Sequence, residues 1–233
     1  RKLCRSFAQE QVERQKADFI RLGVLGDWEH PYLTMNYATE AGIIRALGKI
    51  YRNGHLYLGQ KPVNWCIDCG SALAEAEVEY ENKRSPAIDT GFEVDDKGHS
   101  ELAKIMATEI PASTRIFAVI WTTTPWTLPA NQAVCVHPEF DYSLVRTPRG
   151  WLLLASELMG ACLARYQLEG QVVACCKGQL LEGLSLHHPF ADRSVRIICG
   201  RHVTLEAGTG LVHTAPAHGL DDYFIGQQYG LTS

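Results

Sequence analysis

The chain has 233 residues, of which 46% are hydrophobic and 21% are charged, and its formal net charge is -4. These values are typical of a globular protein with one large domain or two modest ones, without the strongly basic surface of a general nucleic-acid binder. No run of about 18 apolar residues occurs, so the sequence predicts no membrane-spanning helix. The chain begins at Arg1 without a secretory leader, which indicates a segment of a longer polypeptide.

The eight cysteines do not resemble a secreted disulfide framework. Cys4, Cys135, Cys162 and Cys199 are scattered among apolar neighbours, as reduced and buried thiols usually are. We therefore expect a cytoplasmic protein.

Two helices are predicted at the start of the chain. In residues 5–22, apolar residues recur at helical spacing among charged ones, and Gly23 follows. Residues 37–53 carry a second apolar face, and Gly54 follows. The first part of the chain is therefore predicted to be helical.

After residue 55 the spacing of apolar residues changes. The segment from Leu73 to Glu81 alternates, which predicts a strand with one face of glutamates in water. Further strands are predicted at 87–93, 115–121, 133–136, 142–147, 151–155, 171–176, 195–199 and 210–214. Helices are predicted at 99–108, 156–167 and 220–229. Many short strands with few helices predict an α+β fold whose main part is a barrel-like sheet.

The string WTTTPWTLPAN at 121–131 is the first candidate site. Thr122, Thr123 and Thr124 lie where the predicted strand ends, and their hydroxyls can donate to and accept from a ligand. Two prolines stiffen the loop that follows. Because threonine is common in strands, a plain strand end is the alternative interpretation.

The string GTGLVHTAPAHGLDDY at 208–223 is the second candidate site. Gly208 and Gly210 allow a tight turn or a close approach of the backbone. A short strand, a loop and a helix starting at Asp221 and Asp222 are predicted to follow. One aspartate can cap this helix, while the other either lies at the favourable end of the helix dipole or binds a cation.

Cys66 and Cys69 form a C-x-x-C pair, which is half of a tetrahedral zinc site. No second pair of suitable spacing occurs in the sequence. Either the partner ligands lie beyond Ser233 or the pair binds no metal. A redox role is less favoured, because no thioredoxin-like context surrounds the pair. The sequence also has no P-loop, G-x-S-x-G or H-E-x-x-H motif, so we expect no use of ATP.

These strings together resemble isoleucyl-tRNA synthetases. Residues 121–131 and 208–223 are similar to the two signature stretches of that family's editing domain, and residues 18–35 and 62–80 resemble the family's sequence just upstream. The related valyl and leucyl enzymes usually place an arginine after the second threonine, so Thr124 indicates the isoleucyl branch. The HIGH and KMSKS motifs of amino-acid activation are missing, and no activation is expected from this chain.

The resemblance implies three parts: a helical bridging segment from the synthetase body (1–55), a half zinc-knuckle linker and strand (56–84), and an editing β-barrel domain (85–233). The cysteine segment that completes the zinc site in relatives is missing. Zinc is therefore expected only in the full-length protein, and editing itself implies no cofactor.

The activity implied by the resemblance is hydrolysis of valine wrongly esterified to the isoleucine tRNA. Isoleucyl-tRNA synthetases are the standard example of why a second site is needed, since one methylene gives a binding pocket only about 1–3 kcal/mol of discrimination. The implied partners are the 3′ end of the isoleucine tRNA, valine or valyl-adenylate, and the remainder of the synthetase, with no membrane. The alternatives are a binding module for valine or the tRNA end without turnover, and a structural zinc ribbon.

Roles for individual residues follow from the same resemblance. The substrate's ammonium requires a carboxylate, which is assigned to Asp222, with Asp221 as the helix cap. His213 matches the position that shapes the wall rejecting isoleucine. Trp121 and Trp126 are expected to line or support the site.

The ester and ribose oxygens of the substrate require hydroxyl and amide partners. The family positions are matched by Thr122, Thr123, Thr124 and Asn131. We expect an oriented water to attack the ester without a covalent intermediate, because positioning and oxyanion stabilisation each supply several kcal/mol in other enzymes. His213 as a general base is the less favoured alternative.

Overall fold

The computed structural model describes residues 1–232. They divide into two units, Arg1–Gly59 and a second unit that begins at Gln60. The first unit contains helices α1 (Lys2–Arg21) and α2 (Tyr37–Arg52). Both helices predicted in this part of the sequence are confirmed, while the three-part division at residues 55 and 84 stays a prediction.

The two helices of the first unit are joined by one arginine. Arg5 of α1 donates to the Met35 carbonyl at 2.6 Å and pairs with Glu40 of α2 at 3.1 Å. No residue of either helix is buried. Apolar side chains such as Ile44, which is 69% exposed, therefore lie open on this unit.

The second unit is built mainly from strands. They are β1 (Asn64–Cys66), β2 (Ser71–Leu73), β3 (Ile88–Val94), β4 (Ile116–Thr122), β5 (Ala133–Val136), β6 (Asp141–Thr147), β7 (Gly150–Ala155), β8 (Gln171–Lys177), β9 (Ser185–His187), β10 (Ser194–Cys199) and β11 (Leu211–Thr214). Its α-helices are α3 (Asp96–Ile105), α4 (Met159–Tyr166) and α5 (Leu220–Tyr229). The strands and helices predicted between residues 87 and 229 are confirmed, and the short strand β9 was missed.

Nine strands form one mixed sheet in the order β11-β5-β10-β9-β3-β4-β7-β6-β8. The pairs β10–β5 and β4–β7 are parallel, and the other neighbours are antiparallel. The sheet coils so that β11 also packs against β4, but its edge strands β11 and β8 are not paired with each other. The predicted α+β fold dominated by a barrel-like sheet is thus confirmed, with the sheet open rather than closed.

The period of two along the strands divides the apolar residues between the two faces of the sheet. On β5, Val134 contributes to the main core and Cys135 to a smaller cluster that includes Ile225 of α5. On β7, Leu153 contributes to the main core and Leu154 to a cluster that includes Cys162 of α4. The main core therefore fills the inside of the coiled sheet, while α4 and α5 cover its outside.

The strand predicted from Leu73 to Glu81 is wrong. Strand β2 ends at Leu73, and a 3-10 helix at Glu75–Glu77 follows. The Glu77 carboxylate folds back to accept the Ala74 N–H at 2.8 Å. A strand needs a neighbour for its ladder, and the only pairing of this segment is the short β1–β2 hairpin, so the local hydrogen bond of the glutamate decides the conformation.

The helices and cysteines also answer two expectations from composition. None of the helices within residues 1–232 combines the length and apolar character that crossing a bilayer requires. All eight cysteines are free thiols. Cys135 and Cys162 are buried as predicted and Cys199 is half-buried, whereas Cys4 is exposed because it lies on the exposed helix α1.

Candidate active site

The three adjacent threonines lie where β4 ends, as predicted. Thr122 is the last residue of β4 and is buried. Its hydroxyl accepts the Thr124 N–H at 3.1 Å and lies 3.2 Å from the Thr124 hydroxyl. Thr123 and Thr124 are exposed, so their hydroxyls are available to a ligand. A 3-10 helix, Pro125–Ala130, follows directly, since a proline fits the first helical position, where an N–H has no intrahelical partner.

Thr127, within this short helix, connects the threonine segment to His213. The Thr127 hydroxyl donates its single proton to the Thr124 carbonyl at 2.8 Å. It therefore accepts from His213, whose Nε2 lies 2.9 Å away. This pattern assigns the imidazole proton to Nε2 and leaves the lone pair on Nδ1. The two side chains are buried, with 8% and 7% of their surfaces exposed.

Asn131 approaches the other side of the same imidazole. It is fully buried, and its Nδ2 donates to the Ala133 carbonyl at 2.8 Å while lying 3.4 Å from His213 Nδ1. His213 lies on β11, on the same sheet face as Leu211 of the main core. Both ring nitrogens thus face protein partners, and the imidazole has a fixed orientation inside the sheet.

The environment of His213 keeps its imidazole neutral. Burial, with smaller contributions from His218 and His188, lowers the pKa of His213 to about 4. Its value in an unfolded chain is about 6.5. Between these two values the unfolded state binds more protons, so the folded state loses stability as the pH falls from about 6.5 to about 4.

We expect this titration to be visible in acid unfolding. At about 1.4 kcal/mol per pKa unit, His213 accounts for a loss on the order of 3 kcal/mol between pH 7 and pH 4. The His213→Gln variant should lose less stability over this range by about that amount, as measured by urea unfolding at both pH values. The control is His187→Gln, at an exposed position of β9, which should behave like the unaltered protein. Equal acid losses in all three proteins would contradict the expectation.

Asp222 lies in the first turn of α5. The N-cap of this helix is Gly219, which is extended, and the helix begins at Leu220. Both aspartates therefore lie inside the first turn, and the prediction that Asp221 caps the helix is wrong. Asp222 Oδ2 accepts the Ala215 N–H at 3.1 Å, which ties α5 to the residues that follow β11.

The charge of Asp222 is only partly compensated. Burial raises the pKa of its carboxyl, although the Ala215 N–H and the neighbouring His202 and His218 oppose the shift. A carboxylate has two oxygens with several acceptor positions. An ammonium placed against Asp222 would favour its charged form, so this carboxylate is suited to a cationic group.

The two predicted tryptophans have different environments. Trp121, half-buried on β4, lines a cavity of about 300 Å³ together with Thr122 and Thr123. Trp126 is 65% exposed on the 3-10 helix. The structure thus places Trp121 beside the threonines and leaves Trp126 at the surface.

The glycine pair before β11 makes the close approach that the sequence predicts. Gly208 and Gly210 have φ values of +85° and +77°, which side-chain-bearing residues rarely adopt. A Cβ on Gly210 would lie 2.2 Å from the Cβ of Ala155. The Tyr142 hydroxyl donates to the Gly210 carbonyl at 2.8 Å. These contacts fix the start of β11, and with it His213.

The C-x-x-C pair lies on the β1–β2 hairpin. The Cys69 N–H donates to Cys66 Sγ at 3.3 Å, and this bond lowers the pKa of the Cys66 thiol, which favours the thiolate that zinc binds. Within residues 1–232, no group of three or more His, Cys, Asp or Glu side chains could hold a metal ion. The pair fits two of the four ligands that a structural zinc requires.

The structure brings together most of the residues predicted for the site. Hydrogen bonds link Thr122 to Thr124 and place Asn131 beside His213. Within residues 1–232, Asp222 is not hydrogen-bonded to this group, and its own hydrogen bond is with the N–H of Ala215, two residues after His213. Sequence reasoning missed Thr127, which joins the two strings. A signal existed, because its position three residues after Thr124 at a helix start directs its hydroxyl back to that residue.

Comparison with known proteins assigns the family. The sequence model of the tRNA synthetases class I (I, L, M and V) matches residues 1–184. The chain therefore belongs to this family of class I tRNA synthetases.

Within the family, the chain is similar to isoleucine–tRNA ligases. It is 86% identical over 236 residues to the isoleucine–tRNA ligase of Nitrosomonas europaea, covering 100% of this chain and 25% of that protein. It is 64% identical over 232 residues to that of Dechloromonas aromatica, covering 99% and 25%. The resemblance found in the sequence is confirmed, and the chain spans about a quarter of the length of these relatives.

The fold resembles a known editing domain. The crystal structure of the P. knowlesi cytosolic leucyl-tRNA synthetase editing domain matches with a TM-score of 0.51 and 14% identity, over 63% of this chain and 65% of that one. At this identity the likeness concerns the fold alone.

Proposed function

We propose that this chain hydrolyses the ester between valine and the isoleucine tRNA, which is post-transfer editing within an isoleucine–tRNA ligase. The observation that carries the proposal is the buried, neutral His213. Its partner Thr127 also donates to the carbonyl of Thr124, in the string where Thr123 and Thr124 are exposed. The similarity to isoleucine–tRNA ligases and to the fold of an editing domain supports it.

In this proposal each residue of the site contacts a different part of the substrate. The carboxylate of Asp222 pairs with the ammonium of the aminoacyl group. The hydroxyls of Thr123 and Thr124 contact the ester and ribose oxygens. An aminoacyl ester is labile because its ammonium withdraws electrons from the carbonyl, so an oriented water suffices as the nucleophile, and no covalent intermediate forms.

His213 forms the wall of the amino-acid pocket in this proposal. Its Nε2 proton is directed at Thr127, and its Nδ1 faces the Asn131 amide. A general base needs a free lone pair within reach of the attacking water, and this imidazole has none directed away from the protein. Rigid and uncharged, it is suited to limiting the size of an apolar side chain instead.

The remaining roles are proposals of the same kind. Valyl-adenylate is a second substrate of the same pocket, the tRNA 3′ end and the rest of the synthetase are the partners, and the location is the cytoplasm. Cys66 and Cys69 bind zinc only with ligands supplied by the longer protein, and editing needs no cofactor. Metal analysis of the purified chain tests the zinc proposal, since stoichiometric zinc in this chain alone would contradict it.

The test of the function is a deacylation assay. The purified chain is incubated with isoleucine tRNA charged with valine or with isoleucine, and ester loss is followed against buffer. We expect release of valine and not of isoleucine. No release of either amino acid would leave a binding module in place of an esterase, and equal release of both would place the size selection outside His213.

A further inference from the structure

The 3-10 helix that carries Thr127 ends in carbonyl groups that the helix itself leaves without donors. Two of them, those of Pro129 and Asn131, accept from the guanidinium of Arg193 at 2.7 Å and 2.6 Å. A positive charge at the carboxyl end of a helix is also favoured by the helix dipole. The 3-10 helix and the residue after it, 125–131, form one turn. Arg193 therefore caps this turn from a distant part of the sequence.

A second side chain from the same loop contacts the turn. His188 Nε2 donates to the Leu128 carbonyl at 2.9 Å, and His188 is buried. His188 and Arg193 lie at the two ends of the loop between β9 and β10, which is closed by the His188 N–H and the Arg193 carbonyl at 3.0 Å. Through two side chains the loop thus contacts three carbonyls, those of Leu128, Pro129 and Asn131.

The same turn also determines where the His213 side chain lies. Thr127 accepts from His213 Nε2 inside the turn, and Asn131 at its end approaches Nδ1. A displacement of the turn therefore moves both partners of the imidazole at once. Arg193 donates to the backbone carbonyl of Asn131, the residue whose side chain lies beside the His213 imidazole. Arg193 therefore acts on the imidazole through one intervening residue.

We propose that Arg193 is a positioning residue for substrate selectivity. Through the carbonyls of Pro129 and Asn131 it fixes the turn, and through the turn it fixes His213 as the wall that separates valine from isoleucine. This inference rests on the proposed editing function. Arg193 itself is exposed and has no contact with the imidazole, so its effect is on the ratio of two substrates rather than on the chemistry.

The test compares valine and isoleucine release by Arg193→Gln. Loss of charged hydrogen bonds to the turn should reduce the ratio of valine to isoleucine release by about tenfold. Arg193→Lys keeps the charge but has a single ammonium in place of the planar fork, so its ratio should fall less, by about threefold. A structural role alone would lower the melting temperature without changing the ratio.

Arg196 offers a matched control on the neighbouring strand β10. Its guanidinium donates to the carbonyl of Tyr229, the last residue of α5, at 2.7 Å. It therefore also caps a helix end, but one that lies about 10 Å along α5 from Asp222 at 1.5 Å per residue. Arg196→Gln should lower the melting temperature by a similar amount and leave the ratio unchanged.

The outcomes separate this inference from the function on which it rests. If the unaltered chain releases no valine, both are overturned. If it releases valine selectively and Arg193→Gln has the same ratio, the inference alone is overturned. If Arg193→Gln does not fold, an unchanged ratio in Arg193→Lys overturns it.

Discussion

Asp222→Asn is expected to lower valine release by about 100-fold, as the loss of one charged hydrogen-bonded pair in a partly buried site implies. The asparagine amide oxygen can still accept the Ala215 N–H that Asp222 accepts at 3.1 Å. The variant therefore removes the negative charge and keeps the contact between α5 and the segment after β11. Deacylation rates at saturating and limiting substrate measure the effect of the lost charge on the reaction, and thermal unfolding measures any effect on stability.

The neighbouring acid supplies the control. Asp221 is exposed in the same helical turn, so Asp221→Asn changes the net charge equally and should leave the rate nearly unchanged. An N-acetylvalyl ester, which has no ammonium, should be hydrolysed equally slowly by the unaltered chain and by Asp222→Asn. Retained deacylation of the natural ester in Asp222→Asn would remove the ammonium role. Asp222→Ala should abolish release as well, but it also leaves the Ala215 N–H without its acceptor, which makes it the less informative variant.

His213→Ala is expected to admit isoleucine. The extra space is larger than the single methylene that separates the two amino acids, so the ratio of valine to isoleucine release should fall by at least about tenfold. Thr127 still donates to the Thr124 carbonyl in this variant, so the turn keeps one of its internal hydrogen bonds. Release of each amino acid from separately charged tRNA measures the ratio.

The same variant separates the two roles considered for His213. If His213 were a general base, valine release would fall steeply and isoleucine would still be rejected. If it is a wall, isoleucine release rises. His187→Ala is the matched control, because His187 lies exposed on β9 and should leave the ratio unchanged.

Much of the fold could be predicted from the sequence, because the period of the apolar residues reports which face of an element is buried. Helix α5 was predicted at its observed bounds, 220–229. The prediction was wrong where pattern and partner disagree. Residues 73–81 alternate like a strand, but only Leu73, at the end of β2, is paired with another strand. The Glu77 carboxylate accepts the Ala74 N–H, and a 3-10 helix forms in place of the predicted strand.

The candidate site divides in the same way. The threonine string, the glycine pair and the acidic helix start were visible as strings, because turns and helix ends require particular residue types. Asp221 was assigned as the cap because sequence alone does not show that the extended residue is Gly219. The contact between Thr127 and His213 could not be predicted, because the two residues are 86 positions apart in the sequence.

The sequence by itself therefore determined the family resemblance, the order of strands and helices along the chain, and the two strings from which the site is made. These features depend on the order of residues along the chain and on local conformational preferences, so they can be recognised without any tertiary contact. Only the tertiary structure decided that the sheet is open, that His213 is neutral and fixed between Thr127 and Asn131, and that Arg193 caps the turn beside them. Those properties depend on desolvation and on hydrogen bonds between distant segments, which arise only when the sheet brings β4, β10 and β11 together.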